Sequence, residues 1–395
     1  MKTDPTYLYM AGRDGQLLES VSPFCHEAVE RDKNAFCALM DHLKAVDENR
    51  TVIMIQVENE TGVWNQPRDF SPKASELFNE SIPEEMARLY HTKGTWPQAF
   101  GKDACDYFMA WGFSKAVGEI AAAGRAIYDL PMFMNSVAVG LPLKAGDVPS
   151  GGPLPRVHRI WRAFAPAIDL YGPDIYSPFY RAVSSEFAAA NALMVPELSQ
   201  DKNAASKALF TVAAYNTICF SPFGIDGFMA PLSENDLLAQ TNSDQVAFDP
   251  QWGDALAYAY KILHLLWPQI CQAQEDGRIY PFLEEGNPFD EFILDDYIIK
   301  VSYGPKGGVR KSDRPAGGGF ILRLNPDSFL ICGVCALVEF LPAYASQGQV
   351  FILDKREIKV HDKTLVPGRI LNGDERNYTA IGSWPTLQKL TFYHR

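Results

Sequence analysis

Apolar residues in this chain fall at helical spacing in some segments and in unbroken runs in others, and the two kinds take turns over the first two thirds of its length. Residues 32–46 predict a helix, because Phe36, Leu39, Met40 and Leu43 recur at three- and four-residue spacing on one face. The run 51–57, TVIMIQV, predicts a strand, and its unbroken apolar character is that of a parallel strand buried on both faces. A long loop over 60–102 follows, holding Trp64, Pro67, Phe70, Pro72, Trp96 and Pro97; loops of that length after a strand end tend to carry function. The same alternation predicts helix 106–128, strand 131–137, helix 156–164, strand 168–171 followed by Gly172, Pro173, Asp174 and Tyr176, helix 185–191, strand 192–196, helix 204–216 and strand 217–221. A last helix over 250–270 carries an apolar stripe of Ala255, Ala259, Ile262, Leu263 and Leu266 and closes at Trp267-Pro268.

Five strand-then-helix units in succession call for a parallel sheet covered by helices. Past residue 275 the texture changes to short strands, at 291–301, 319–324, 329–340, 350–353 and 387–393, separated by Gly, Pro and Asp. That pattern predicts an all-β module. The expected division is therefore a (β/α) region over 1–275 and a β-rich region over 276–395. The glycine runs at Lys306-Gly-Gly and Ala316-Gly-Gly-Gly lack a GK[ST] ending and a following helix, so neither reads as a phosphate loop.

Composition narrows the partners. A chain of 395 residues exceeds the size at which one core stops growing, which agrees with two domains. A formal net charge of -12 argues against nucleic acid or an anionic membrane surface, both of which call for basic patches. Neutral polymers such as sugars stay open. No apolar run reaches the roughly 18 to 20 residues of a membrane span. The first residues, MKTDPTYLYMAGRDG, contain no basic segment followed by an apolar one, so no export signal is read in them. The seven cysteines are scattered and odd in number, which suits free thiols better than a disulfide framework. Cys332-Gly-Val-Cys335 lies in an apolar run that reads as a strand, where residues three apart face opposite ways and cannot share a metal or a disulfide. The histidines show no metal-ligand spacing, and neither a metal nor another cofactor is expected.

Candidate chemistry sits at the strand ends. The strand 51–57 runs into Gln56, Glu58, Asn59 and Glu60, and the strand 192–196 ends in Pro196 and Glu197. Folds of this class place their chemistry at the C-terminal ends of parallel strands. Two carboxylates there, Glu60 and Glu197, match the equipment of a glycosidase, in which one protonates the leaving oxygen and the other attacks or activates water. Plainer roles compete: Glu60 as a solvated loop acid, Glu58 as the partner of a neighbouring cation, Glu197 as an acid satisfying amides at a helix start. Glu58 shares a face with Glu60 by alternation, and the pattern does not choose between them. Asn59, Asn135 and Tyr176 stand at predicted strand ends and read equally as sugar contacts or as turn residues.

The segment Gln56-Val-Glu-Asn-Glu-Thr-Gly resembles the Gln-x-Glu-Asn-Glu-x-Gly motif of family 35 glycoside hydrolases, the β-galactosidase family of clan A. With the run before it, the VPELSQD segment and the β-rich tail, the chain is similar to the bacterial branch that carries a C-terminal β domain of the DUF5597 type. The resemblance extends over essentially the whole chain and is most specific at Asn59-Glu60. It implies a (β/α)8 TIM barrel followed by a sandwich-like all-β domain, and a retaining mechanism on terminal β-galactosides. Glu60 maps to the acid/base, Glu197 to the nucleophile, and Asn59 to the residue that holds the sugar 2-hydroxyl. Beside these, Asn135, Tyr176 and Glu58 are the further candidate substrate contacts. Secreted or periplasmic placement is compatible with it.

One feature departs from that family. If the 51–57 strand is the fourth of a barrel, three units of roughly 30 residues should precede it, and 50 residues hold only a loop and one helix. The expectation is a barrel without its first three strand-helix units, whose exposed edges favour self-association. Two other functions follow as rivals: a truncated or inactive carbohydrate-binding protein without turnover, and a doubly wound α/β enzyme, for which the Gly-rich first turn is missing.

Overall fold

The first elements are a hairpin, β1 (Tyr9–Ala11) and β2 (Leu17–Val21), paired antiparallel through the turn at Gly12 to Gln16. In the computed structural model, residues 6–138, 146, 149–229, 250–303, 314–377 and 379–395 are described. They divide into two compact units, Met1–Pro196 and Glu197–Arg395. The hairpin corrects the expectation of a loop before the first helix; its strands are too short for a period to register in the sequence.

In the first unit, α1 (His26–Val46) buries Phe36 and Met40 of its predicted stripe but leaves Leu39 exposed, and it begins six residues earlier than expected. The strand after it is shorter than the apolar run, because only β3 (Ile55–Gln56) lies opposite the neighbouring strand. Asp47 explains the delay: its carboxylate accepts the N–H groups of Thr51 at 2.7 Å and Val52 at 3.2 Å, which turns the chain before it joins the sheet. The expected loop over 60–102 is not structureless. It holds α2 (Pro72–Asn79), started by the Ser71 cap and Pro72, α3 (Glu84–Tyr90), and α4 (Trp96–Phe100), started by a capping box of Thr95 and Gln98. Next come α5 (Ala104–Ile127), β4 (Met132–Ala138), α6 (His158–Phe164), β5 (Leu170–Ile175), α7 (Tyr180–Ala190) and β6 (Leu193–Val195).

β3, β4 and β5 are parallel neighbours in that order, with Ile55 opposite Met132 and Asn135 opposite Gly172. Helices connect the strands, the arrangement of part of a (β/α) barrel. β5 runs on through Gly172, Pro173 and Asp174, beyond the expected strand end at 171. The glycine is there for packing: a Cβ at Gly172 would come within 2.6 Å of the Met194 carbonyl and 2.8 Å of the Pro196 ring.

β3 is the end strand of this sheet among the described residues, and Ile53 just before it is 81% exposed. Val46 and Leu39 on α1 are exposed as well. An apolar sheet edge invites association. Ile53→Lys is expected to lower the proportion of associated species in size-exclusion chromatography while changing stability by less than about 0.5 kcal/mol, as surface substitutions do. An unchanged elution profile from an associating wild type would mean that the contact lies elsewhere.

The second unit opens with β7 (Glu197–Leu198), α8 (Ala204–Ala214), β8 (Thr217–Phe220) and α9 (Pro250–Glu275). α9 continues through Pro268 instead of stopping there. Beyond the proline, Ile270 and Ala273 are fully buried, and their burial offsets the hydrogen bond the proline lacks. The strands are β9 (Ile279–Leu283), β10 (Phe289–Ile293), β11 (Tyr297–Ser302), β12 (Gly318–Asn325), β13 (Ser328–Val334), β14 (Leu337–Pro342), β15 (Val350–His361) and β16 (Thr364–Ile370). A short α10 (Asp374–Asn377) precedes β17 (Thr379–Ala380) and β18 (Thr386–His394).

These strands form two antiparallel sheets, β10-β11-β14-β17 and β16-β15-β18-β13-β12-β9. Alternate residues of both, including Tyr297, Ile299 and Val301 from one and Phe329, Ile331, Leu390 and Phe392 from the other, meet in one core, as in a sandwich. Two runs expected as single strands are divided: 291–301 is a hairpin that folds at Asp295-Asp296, and 329–340 breaks at Cys335, whose φ of 47° leaves the extended region, into β13 of one sheet and β14 of the other. The Ala316 glycine run enters β12, where α8 packs closely; a Cβ at Gly318 would lie 2.7 Å from Ser206. The Lys306 glycine run lies outside the described residues. Among the described residues no helix is long and apolar enough to cross a membrane.

Candidate active site

Side chains alternate across a strand, so the register of the first sheet decides which residues share a face. Phe133 stands beside Gln56 and Leu170, Asn135 beside Gly172, and Val137 beside Asp174. Gln56, Asn135 and Asp174 therefore lie on one face of three adjacent strands, near their C-terminal ends. The opposite face carries Tyr171, whose ring packs against His158 and Trp161 of α6.

The three polar residues join in one hydrogen-bonded network with the bend that follows β3. The Asn135 Oδ1 accepts the Glu60 backbone N–H at 2.9 Å and Gln56 Nε2 at 3.1 Å. Asn135 Nδ2 donates to Asp174 Oδ2 at 2.7 Å and to Asn59 Oδ1 at 2.9 Å, and Gln56 Nε2 also reaches Asn59 Oδ1 at 2.9 Å. Asn135 and Asp174 are buried, Glu60 is half-buried and Asn59 is exposed. A carboxylate oxygen of Glu60 lies within 4.8 Å of one of Asp174. Glu60 has a φ of 46°, a left-handed conformation that costs a non-glycine residue on the order of 1 kcal/mol or more and is held by its surroundings.

Glu58 meets this network only through its backbone carbonyl, which accepts from Gln56 Nε2 at 3.3 Å, although alternation places its side chain with that of Glu60. The strand ends at Gln56, so alternation no longer governs the bend. Burial, together with the Asp32 carboxylate on α1, pushes the Glu58 carboxyl up to about 7 from an ordinary 4.5. Because the folded state binds this proton more tightly than the unfolded chain, the stabilisation is complete below about pH 4.5 and lost as pH rises through 7. Glu58→Gln is expected to raise stability at pH 8 by on the order of 2–3 kcal/mol and to change little at pH 4.5, read by urea unfolding at both pH values. An equal effect at the two would place the cause elsewhere.

Tyr176 directly follows β5 and is 43% exposed. In the second unit, Glu197 opens β7 and is half-buried, and the carbonyl of the buried Leu198 accepts the Phe223 N–H at 2.9 Å. Ahead of α8, Asp201 accepts the Asn203 N–H at 2.7 Å and pairs with Lys207 at 3.1 Å. Asp174 is the residue that the sequence reading missed as a site member. Its signal was the continued alternation Leu170, Gly172, Asp174, hidden because Gly-Pro reads as a turn.

A family described as "Domain of unknown function (DUF5597)" matches residues 256–381, from within α9 to just past β17. No curated protein matches the chain. Among solved structures, the crystal structure of the catalytic domain of β-amylase from Paenibacillus polymyxa is similar, with 12% identity, 65% of this chain and 75% of that chain covered, and a TM-score of 0.42.

Proposed function

We propose that this chain is a retaining glycoside hydrolase of the β-galactosidase type. The observation that carries the reading is the Glu60 bend: a carboxylate held past the end of a parallel strand by a buried amide, among carboxamides able to bind hydroxyls. Glu60 is the proposed proton donor and later base, and Glu197 the nucleophile that forms and releases a glycosyl ester. Asn59 holds the sugar 2-hydroxyl, and Asn135, Tyr176 and Glu58 are the remaining proposed contacts. The Asn135 amide acts mainly by fixing the Glu60 backbone. Residues 1–275 are the proposed catalytic region and 276–395 its β-rich companion.

The net charge of -12 agrees with an uncharged substrate, since an anionic glycan would meet repulsion. Sustained release of the aryl alcohol from an aryl β-galactoside tests the proposal, and a panel of aryl glycosides identifies the sugar. Binding of galactosides with no release above background would favour the rival, a carbohydrate-binding protein without turnover. The exposed rings of Trp64, Tyr176 and Phe179 would then be sugar platforms only.

A further inference from the structure

We infer that Asp174 is a positioning residue, which holds the acid bend in place through Asn135. A carboxamide can be turned over at little cost in shape, exchanging its oxygen and nitrogen, and only its partners decide which way it faces. Asn135 Nδ2 has two acceptors, and one of them, Asn59 Oδ1 at 2.9 Å, belongs to an amide that can itself turn over, which leaves the carboxylate on β5 as the acceptor that decides. Asp174 is fully buried, and its Oδ2 accepts from Nδ2 at 2.7 Å, a bond that the Asn135 amide oxygen, which carries no hydrogen, could not make in that place. With Nδ2 fixed toward Asp174, Oδ1 faces β3 and accepts the Glu60 N–H at 2.9 Å and Gln56 Nε2 at 3.1 Å. The reversed amide would set its NH2 against two donors, leaving buried polar groups unsatisfied.

The consequence reaches Glu60. A residue at φ 46° is held there by its contacts, and the backbone bond to Asn135 is one of them. Without that bond the bend relaxes toward ordinary backbone and carries the Glu60 carboxyl with it. Misplacement by about 1 Å is enough to cost roughly 10²-fold in rate. The inference about turnover rests on the glycosidase reading; the inference about the bend does not.

Amide hydrogen exchange at Glu60 and aryl glycoside kinetics, measured on the full chain, test the relay together. Asp174→Leu keeps the shape of the side chain and removes the acceptor. It is expected to speed Glu60 exchange roughly tenfold, the equivalent of one hydrogen bond, and to lower kcat about 10²-fold with KM nearly unchanged. Asp174→Asn retains an oxygen that can accept from Asn135, and is expected to restore most of both. Asn135→Leu breaks the relay one step later, so the double variant with Asp174→Leu should be no worse than Asn135→Leu alone. Additive losses in the double variant, or a Glu60 amide that stays protected in Asp174→Leu, would overturn the inference. If Asp174→Leu does not fold, exchange in Asp174→Asn against Asn135→Leu decides: slow in the first and fast in the second upholds the relay, and equal rates overturn it. A wild type with no turnover but the expected exchange pattern would sink the glycosidase reading and leave the relay standing.

Discussion

Glu197→Ala is expected to lose turnover by on the order of 10⁴-fold or more, because removing a nucleophile abolishes the covalent route and leaves only binding and electrostatic effects. The wild type should be trapped by a 2-deoxy-2-fluoro galactoside with a good leaving group. Fluorine slows both steps by destabilising the oxocarbenium-like transition state, and the activated leaving group restores the first step alone, so the glycosyl ester accumulates. Mass spectrometry of a peptic digest locates the label. Glu197 should carry it, and the first-formed sugar should retain its anomeric configuration by NMR. A label on Glu58 or an inverted product would remove Glu197 from the nucleophile role.

Glu60→Ala should lower turnover of glycosides with poor leaving groups by about 10²- to 10⁴-fold, the usual worth of a general acid. Activated aryl glycosides need no proton at the first step and should still form the glycosyl ester. Azide, a small anion that needs no general base, should then restore the second step and give a glycosyl azide. Glu58→Ala should show neither behaviour, since its carboxyl lies beside Asp32 of α1 and outside the Asn135 network. Equal azide rescue in the two variants would show that the wrong acid of the pair has been assigned.

The sequence and the structure divide the work along a physical line. Wherever a period of two or 3.6 persisted long enough, the element was legible: α1, α5, α9 and the β-rich texture after 275 all announce themselves by their apolar spacing. Local chemistry was legible too. The Gln56 to Gly62 segment marked the acid bend, and the Ser71-Pro72 and Thr95 to Gln98 signals for α2 and α4 were present in the chain, although the long-loop reading passed over them. Boundaries set by distant partners were not legible. Nothing within the 51–57 run says that Asp47 will hold Thr51 and Val52 out of the sheet, or that Gly172 serves the approach of Met194 and Pro196 instead of a turn.

The residues of the acid bend were determined by sequence alone: two glutamates and an asparagine after an apolar strand, a pattern fixed by covalent order. Which glutamate joins the polar network was decided only in three dimensions. Glu58 and Glu60 are two residues apart and chemically identical; register across three strands gives Glu60 the Asn135 amide and Asp174, while Glu58 meets burial and the charge of Asp32. Asp174 entered the site the same way, since 75 residues of chain separate Asn135 on β4 from Glu60 and Asp174 on β5 lies further on still, and pairing, not sequence distance, sets neighbours within a sheet.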